Sequence, residues 1–304
     1  MKKVICLVLC LLLSVACAAC GEAPTETTAP PAETKPALFE GNSLKILAIG
    51  NSFSQDATEY LYDVAKAEGI TNLVIGRLNY GGCSLERHVN YANTGEGAYY
   101  YEKNTTGKWE LTENATLLDG LLDEDWDIIT MQQNSSNSGL PETYEGHLEQ
   151  LISYVNEQKT NPNAKLIWHM TWAYQGDSTH EAFPRYDSNQ MTMYTKIKET
   201  VNQVILPNSA FAAVFPVGTA IQNARTTFFG DNLTRDGFHL SYLGRLVASY
   251  TWYAVLTGVV PETIHLEKTI NGMAVSEGMR SVIRESVANA IRDPYAVTQS
   301  KLAS

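Results

Sequence analysis

One alternation constrains this chain more than any other feature: apolar runs too short for helices, each closed by polar or small residues and most followed by a stretch with helical spacing. Residues 44–49 (LKILAI) end at Gly50, and residues 55–68 then set Ala57, Leu61, Val64 and Ala65 on one helical face before Gly69 offers a cap. Further apolar runs at 73–78, 126–131, 164–170 and 211–215 read as strands, and 144–158, 193–206, 242–257 and 276–292 read as helices. Such runs are buried on both faces, so five of them joined by helical crossovers predict a mainly parallel five-stranded sheet in an α/β fold, with ligands at the carboxyl ends of the strands. Residues 99–111 (YYYEKNTTGKWEL) break the rhythm with aromatics around Asn104-Thr105-Thr106-Gly107, the pattern of an inserted hairpin. There is no internal repeat.

With 304 residues and 44% apolar composition the chain can fill a full core, which excludes disordered and collagen-like classes. Acids outnumber bases 33 to 22 and are spread along the chain, so there is no basic footprint for nucleic acid. Cys6, Cys10, Cys17 and Cys20 all fall in the first twenty residues, leaving Cys83 alone in the body and no disulfide framework. Lys2 and Lys3 precede an apolar run, 4–19, that is short for a membrane span and placed where a secretory signal belongs. Its end, Ala18-Ala19-Cys20-Gly21, resembles the lipobox of bacterial lipoproteins, which implies cleavage after residue 19 and lipidation of Cys20. Cys17 stands where that motif usually has leucine and is the alternative acceptor. Residues 20–38, rich in proline, threonine and glutamate, read as the lipidated cysteine and a disordered tether, and 39–304 as one folded domain. The expectation is an exported protein held to the extracytoplasmic side of a membrane by its lipid alone.

Gly50-Asn51-Ser52-Phe53-Ser54 lies between the first strand and its helix, where a turn lifts a side chain above the sheet beside helix amides that can hold an oxyanion. Ser52 or Ser54 could equally be no more than a helix cap. A serine nucleophile needs a base, and of the six histidines only His239, in Thr234-Arg235-Asp236-Gly237-Phe238-His239, combines a flexible loop with a carboxylate three residues earlier. Cys83, beside a glycine pair, is a rival nucleophile, although a lone cysteine is more often a small buried apolar residue. No His-x-x-x-His pair or comparable spacing suggests a metal, and no cofactor is called for.

The turn at Ser52 looks like the first sequence block of the SGNH (GDSL-type) hydrolases, and Asp236-x-x-His239 resembles their last. Between them, Gly81-Gly82-Cys83-Ser84-Leu85 is similar to the glycine block. The chain departs from the family at the third block, where Met131-Gln132-Gln133-Asn134-Ser135-Ser136 stands in place of Gly-x-Asn-Asp, and also at Asn51 and Phe53. The resemblance, over about residues 44–257, implies a three-layer α/β/α flavodoxin-like fold of the SGNH type, in a divergent bacterial lipoprotein branch. It also implies a Ser52–His239–Asp236 triad hydrolysing an ester through an acyl-enzyme. The oxyanion would be held by the amides of Ser52 and Gly82 and an amide side chain from Gln132, Gln133 or Asn134, with Gln133 the expected donor.

Trp172 and Tyr174, at the end of the fourth strand, are expected to bind substrate, and aromatic faces suit sugar rings. Tyr99, Tyr100, Tyr101 and Trp109 hint at a carbohydrate platform, while His88 reads as a half-exposed helical residue. The expected substrate is therefore an acylated small molecule or carbohydrate, the latter making the enzyme an O-deacetylase. The opposing reading is a non-catalytic surface lipoprotein that binds a glycan or another extracellular ligand on the same fold.

Overall fold

The structure, a computed structural model, describes residues 37–39 and 41–303. The signal segment, both lipidation cysteines and nearly all of the tether lie outside the described residues. Leu38, at the end of the expected tether, already belongs to the body: its amide and that of Phe39 both donate to Leu256 O, at 3.0 and 3.2 Å.

In chain order, β1 (Ser43–Gly50) leads into α1 (Ser52–Thr58) and α2 (Leu61–Ala67), then β2 (Asn72–Asn79) and α3 (Leu85–Thr94). The hairpin β3 (Tyr99–Asn104) and β4 (Trp109–Ala115) precedes α4 (Leu117–Leu122), β5 (Ile128–Met131), α5 (His147–Gln158) and β6 (Lys165–His169). After it come α6 (Gln190–Thr200), β7 (Phe211–Phe215), α7 (Val217–Arg225), α8 (Tyr242–Thr257) and α9 (Glu277–Arg292). The sheet has seven strands in the order β4-β3-β2-β1-β5-β6-β7. Its five parallel strands are those read from the apolar runs. The expectation of a five-stranded sheet is corrected, however, because the hairpin pairs antiparallel with β2 and makes the sheet mixed.

The parallel strands follow the flavodoxin-like order, which reverses direction between β1 and β5 and opens a crevice there beyond the strand ends. That crevice is where the chain after β1 emerges. Residues 55–68 do not form one helix. α1 starts at Ser52, and the chain turns at Glu59–Tyr60 before α2; the Thr58 hydroxyl donates back to the Ser54 carbonyl at 2.8 Å in the last turn of α1. Likewise the helix expected over 193–206 is α6, begun earlier and continued by one π-helical turn, Val201–Ile205. The core runs along both faces of the sheet and includes Trp126, Trp168, Trp172 and Trp252, all nearly inaccessible.

Candidate active site

The turn that presents Ser52 is built from the inside. Asn51, not a serine, caps α1: its Oδ1 accepts the Phe53 amide at 3.0 Å, which leaves Ser52 as the first helical residue with its hydroxyl free for another partner. The Asn51 amide has two further partners. Nδ2 donates to Cys83 O at 3.1 Å, and Oδ1 accepts from Gln132 Nε2 at 2.9 Å. Gln132 Oε1 accepts in turn from His169 Nδ1 at 2.9 Å, an assignment that fixes the proton of that imidazole on Nδ1. An aspartate at 51 would set a second carboxylate oxygen against the Cys83 carbonyl, so asparagine is what lets this turn be stitched to the glycine loop. Gly50 is required by space, because a Cβ there would stand 2.5 Å from Ser54 Oγ and 3.1 Å from the Gln132 side chain.

Ser52 Oγ lies 2.8 Å from His239 Nε2, and His239 Nδ1 lies 2.7 Å from Asp236 Oδ2. The second carboxylate oxygen accepts the backbone amides of Phe238 and His239, at 3.2 and 2.8 Å. Desolvation alone would raise the Asp236 pKa, but the bonds from the His239 side chain and from these amides outweigh it and hold the carboxyl below its ordinary value. The three side chains thus form one hydrogen-bonded line, Ser52 to His239 to Asp236, with the carboxylate outermost. Phe53 stacks on Trp172 at 4.2 Å and also packs against His239, so the Ser52 turn and the His239 loop share an aromatic wall.

These side chains open on a cleft of about 300 Å³ lined by Asn51, Ser52, Phe53, Gly81, Gly82, Asn134, Ser135, Ser136, His180, Phe238 and His239. Gly82 has φ +64°, a backbone conformation that glycine adopts without strain. Neither its amide nor that of Ser52 donates to another described residue. Asn134 Nδ2 gives one hydrogen to Gly82 O at 3.0 Å, which braces the glycine turn and leaves a second N–H for a ligand.

Gln133 is not in this cleft, a correction to the expected oxyanion donor. Its Nε2 donates to the carbonyl and hydroxyl of Thr143, both at 3.2 Å, while its Oε1 accepts the amides of Leu85 and Asn134. Gln132 is committed beneath Asn51, so of the three candidates only Asn134 reaches the cleft. Trp172 and Tyr174 are also corrected, since both are fully buried. Trp172 Nε1 donates to Phe238 O at 2.7 Å, and Tyr174 Oη lies 2.8 Å from Ser135 Oγ, so both rings support the cleft from behind. Nor is the hairpin a platform: Tyr99 and Tyr101 are buried, and Trp109 lies under the Arg77 guanidinium at 3.6 Å, leaving only Tyr100 clearly exposed among the four.

Cys83 is buried, with its thiol pushed up to about 12 by desolvation, so it holds no reactive thiolate near neutral pH. His88 is fully buried rather than half exposed, bonded through Nδ1 to Tyr99 Oη at 2.7 Å. His265 does have a carboxylate partner, Glu68, at 2.7 Å, although among the described residues no serine bonds to it. Among the described residues there is no metal-binding cluster.

Sequence reasoning passed over three cleft residues. Ser135 and Ser136 could have been flagged by their place just beyond a strand end, and His180 by its loop setting. His180 Nδ1 accepts the Ala182 amide at 3.1 Å, so the neutral ring carries its proton on Nε2, and desolvation first among the causes holds its pKa below the ordinary imidazole value. Asp56, one helical turn after Ser52, was missed as well.

A crystal structure of a DUF4886 family protein from Bacteroides uniformis ATCC 8492, at 1.50 Å resolution, resembles this one with a TM-score of 0.79 and 39% identity, covering 86% of this chain and 100% of that one. More distant likenesses are LAE5, an alpha/beta hydrolase enzyme from the metagenome of Lake Arreo in Spain (TM-score 0.46, 12% identity, 73% of this chain and 98% of that one), and a catalytic mutant of Axe2, an acetylxylan esterase from Geobacillus stearothermophilus (TM-score 0.45, 10% identity, 71% and 95%). No curated protein matches the sequence. A family model described as a domain of unknown function, DUF4886, matches residues 45–278, and the chain belongs to that family.

Proposed function

We propose that the chain is an exported serine esterase that hydrolyses a small acyl ester through an acyl-enzyme. The observation that carries the reading is the continuous Ser52–His239–Asp236 relay, with contacts of 2.8 and 2.7 Å at the crevice where the sheet order reverses. In this mechanism Ser52 Oγ attacks the ester carbonyl as His239 Nε2 takes its proton. Asp236 holds the Nδ1–H tautomer and stabilises the imidazolium, which then protonates the leaving alcohol; water deacylates the serine by the same steps. The amides of Ser52 and Gly82 and the uncommitted N–H of Asn134 supply donors for the tetrahedral oxyanion.

The 300 Å³ cleft has room for a small acyl group together with part of its alcohol. Burial of Trp172 and Tyr174 removes the aromatic support for a sugar ring, so a carbohydrate alcohol rests on the expected export and on the polar wall of Ser135, Ser136 and His180. Lipid attachment at Cys20 remains part of the proposal, to be read by intact mass of membrane-extracted protein.

Hydrolysis of p-nitrophenyl acetate by residues 37–304, with Ser52→Ala and His239→Ala alongside, tests the reading. The expected result is turnover that falls about 10⁴-fold or more in both variants, with Ser52 labelled by a fluorophosphonate in the parent. A parent that is neither active nor labelled would refute it.

A further inference from the structure

The loop that carries the base has little to hold it to the helix that carries the nucleophile. Within residues 234–240, Asp236 binds its own backbone neighbours and Arg235 N donates to His239 O, so the loop is an internally bonded unit. Gln175 N donates to Gly237 O and Trp172 Nε1 to Phe238 O, which fastens it to the segment after β6. Among the described residues, its hydrogen bonds to α1 are the Ser52–His239 contact itself and those made to Asp56.

Asp56 has no accessible surface, yet its carboxylate is saturated. Arg235 Nη1 donates to both oxygens at 3.0 Å, the Leu240 amide donates to Oδ2 at 2.7 Å, and Arg245 of α8 donates to Oδ1 through Nε at 2.9 Å. Two of these partners flank the triad pair in sequence: Arg235 immediately precedes Asp236, and Leu240 immediately follows His239. Asp56 itself stands four residues after Ser52, one turn along the same helix and on the same face. A buried, charged, fully bonded carboxylate is therefore shared by both ends of the loop and by the helix that presents the serine.

Building on the esterase reading, we infer that Asp56 is a positioning residue that sets the separation of Ser52 Oγ and His239 Nε2 from behind the cleft. It touches no substrate. Its bonds to Arg235 and Leu240 fix the height of the base loop over α1, while its bond to Arg245 ties the same carboxylate to the scaffold helix α8. Those two arginines provide an internal control, because both pair with the same buried carboxylate but only Arg235 belongs to the loop.

The test compares Arg235→Gln with Arg245→Gln in the described domain, with Asp56→Asn as a third variant, using kcat and KM for p-nitrophenyl acetate and calorimetric Tm. Both arginine variants should melt about 5 °C or more lower, since each takes a partner from a buried carboxylate. Arg235→Gln should lose about 30-fold in kcat with KM within about twofold, in line with the roughly 10²-fold losses that ångström-scale misplacement brings, whereas Arg245→Gln should lose less than about threefold. Asp56→Asn, if it folds, should lose more than Arg235→Gln; if it does not fold, the arginine pair alone decides. Equal kcat losses in the two arginine variants, or a loss confined to KM, would overturn the inference while leaving a Ser52-dependent esterase intact. Turnover that survives Ser52→Ala would instead overturn the esterase reading and this inference with it.

Discussion

The two halves of the proposed relay are held by opposite means. On the nucleophile side every supporting group is inside: Asn51, Gln132 and His169 are each about 1% exposed, and they form one hydrogen-bonded line from the core to the Cys83 carbonyl. On the base side the Asp236 side chain is 40% exposed, and the loop that bears it is fastened from beneath by Asp56 and the Trp172 indole. Stability and chemistry are therefore expected to separate. A change on the inner side disturbs buried polar groups and registers first as lost stability, whereas a change at the outer carboxylate registers first as lost turnover.

The largest expected effect is on the outer side. Asp236→Asn keeps the shape but no longer enforces the productive tautomer of His239, so kcat should fall about 10⁴-fold with Tm nearly unchanged; a large drop in Tm would erase the contrast. Next comes acid. Burial pushes His169, and His88 behind the glycine loop, down to about 3, so the folded chain binds fewer protons than the unfolded chain below the ordinary imidazole pKa. Their contribution is complete above about pH 6.5 and drains away as pH falls towards 3, by about 2 kcal/mol for each histidine at pH 5. Denaturant titrations at pH 7 and pH 5 measure this, and His169→Gln should flatten the slope. The smallest effect is Gln132→Leu, which strands the His169 Nδ1–H and should cost about 2 kcal/mol of stability with only about a tenfold loss of kcat. A loss in kcat as large as that of Asp236→Asn would show that the inner line also governs chemistry.

Much of this arrangement could be read from the chain because its signals are local. Parallel strands announce themselves as apolar runs, and Asp236-x-x-His239 places a carboxylate and an imidazole within one loop. α7 escaped notice although Val217, Ala220, Ile221 and Ala224 repeat at helical spacing, because it is only nine residues long and starts after Pro216 with no side-chain cap to mark it, and α4 is only six residues long. The hairpin was visible, but not its partner strand, since pairing with β2 depends on where the chain returns in space. Direction was the harder property. Gln133 and Asn134 are neighbours, yet one faces Thr143 and the other the cleft; proximity to a strand end does not say whether Trp172 points into the pocket or under it. Asp56 could not be recognised at all, because its partners Arg235 and Arg245 lie 179 and 189 positions away.

The hairpin has a consequence for how copies of this protein behave beside one another. β4 closes one side of the sheet as a strand almost wholly in solvent, carrying Glu110 and Glu113 and ending near Asn114, whose backbone is left-handed at φ +57°. A neighbouring chain that tried to extend the sheet there would bring like charges together and meet a kinked backbone. Crowded at high density, these molecules are therefore guarded against edge-to-edge growth along that margin.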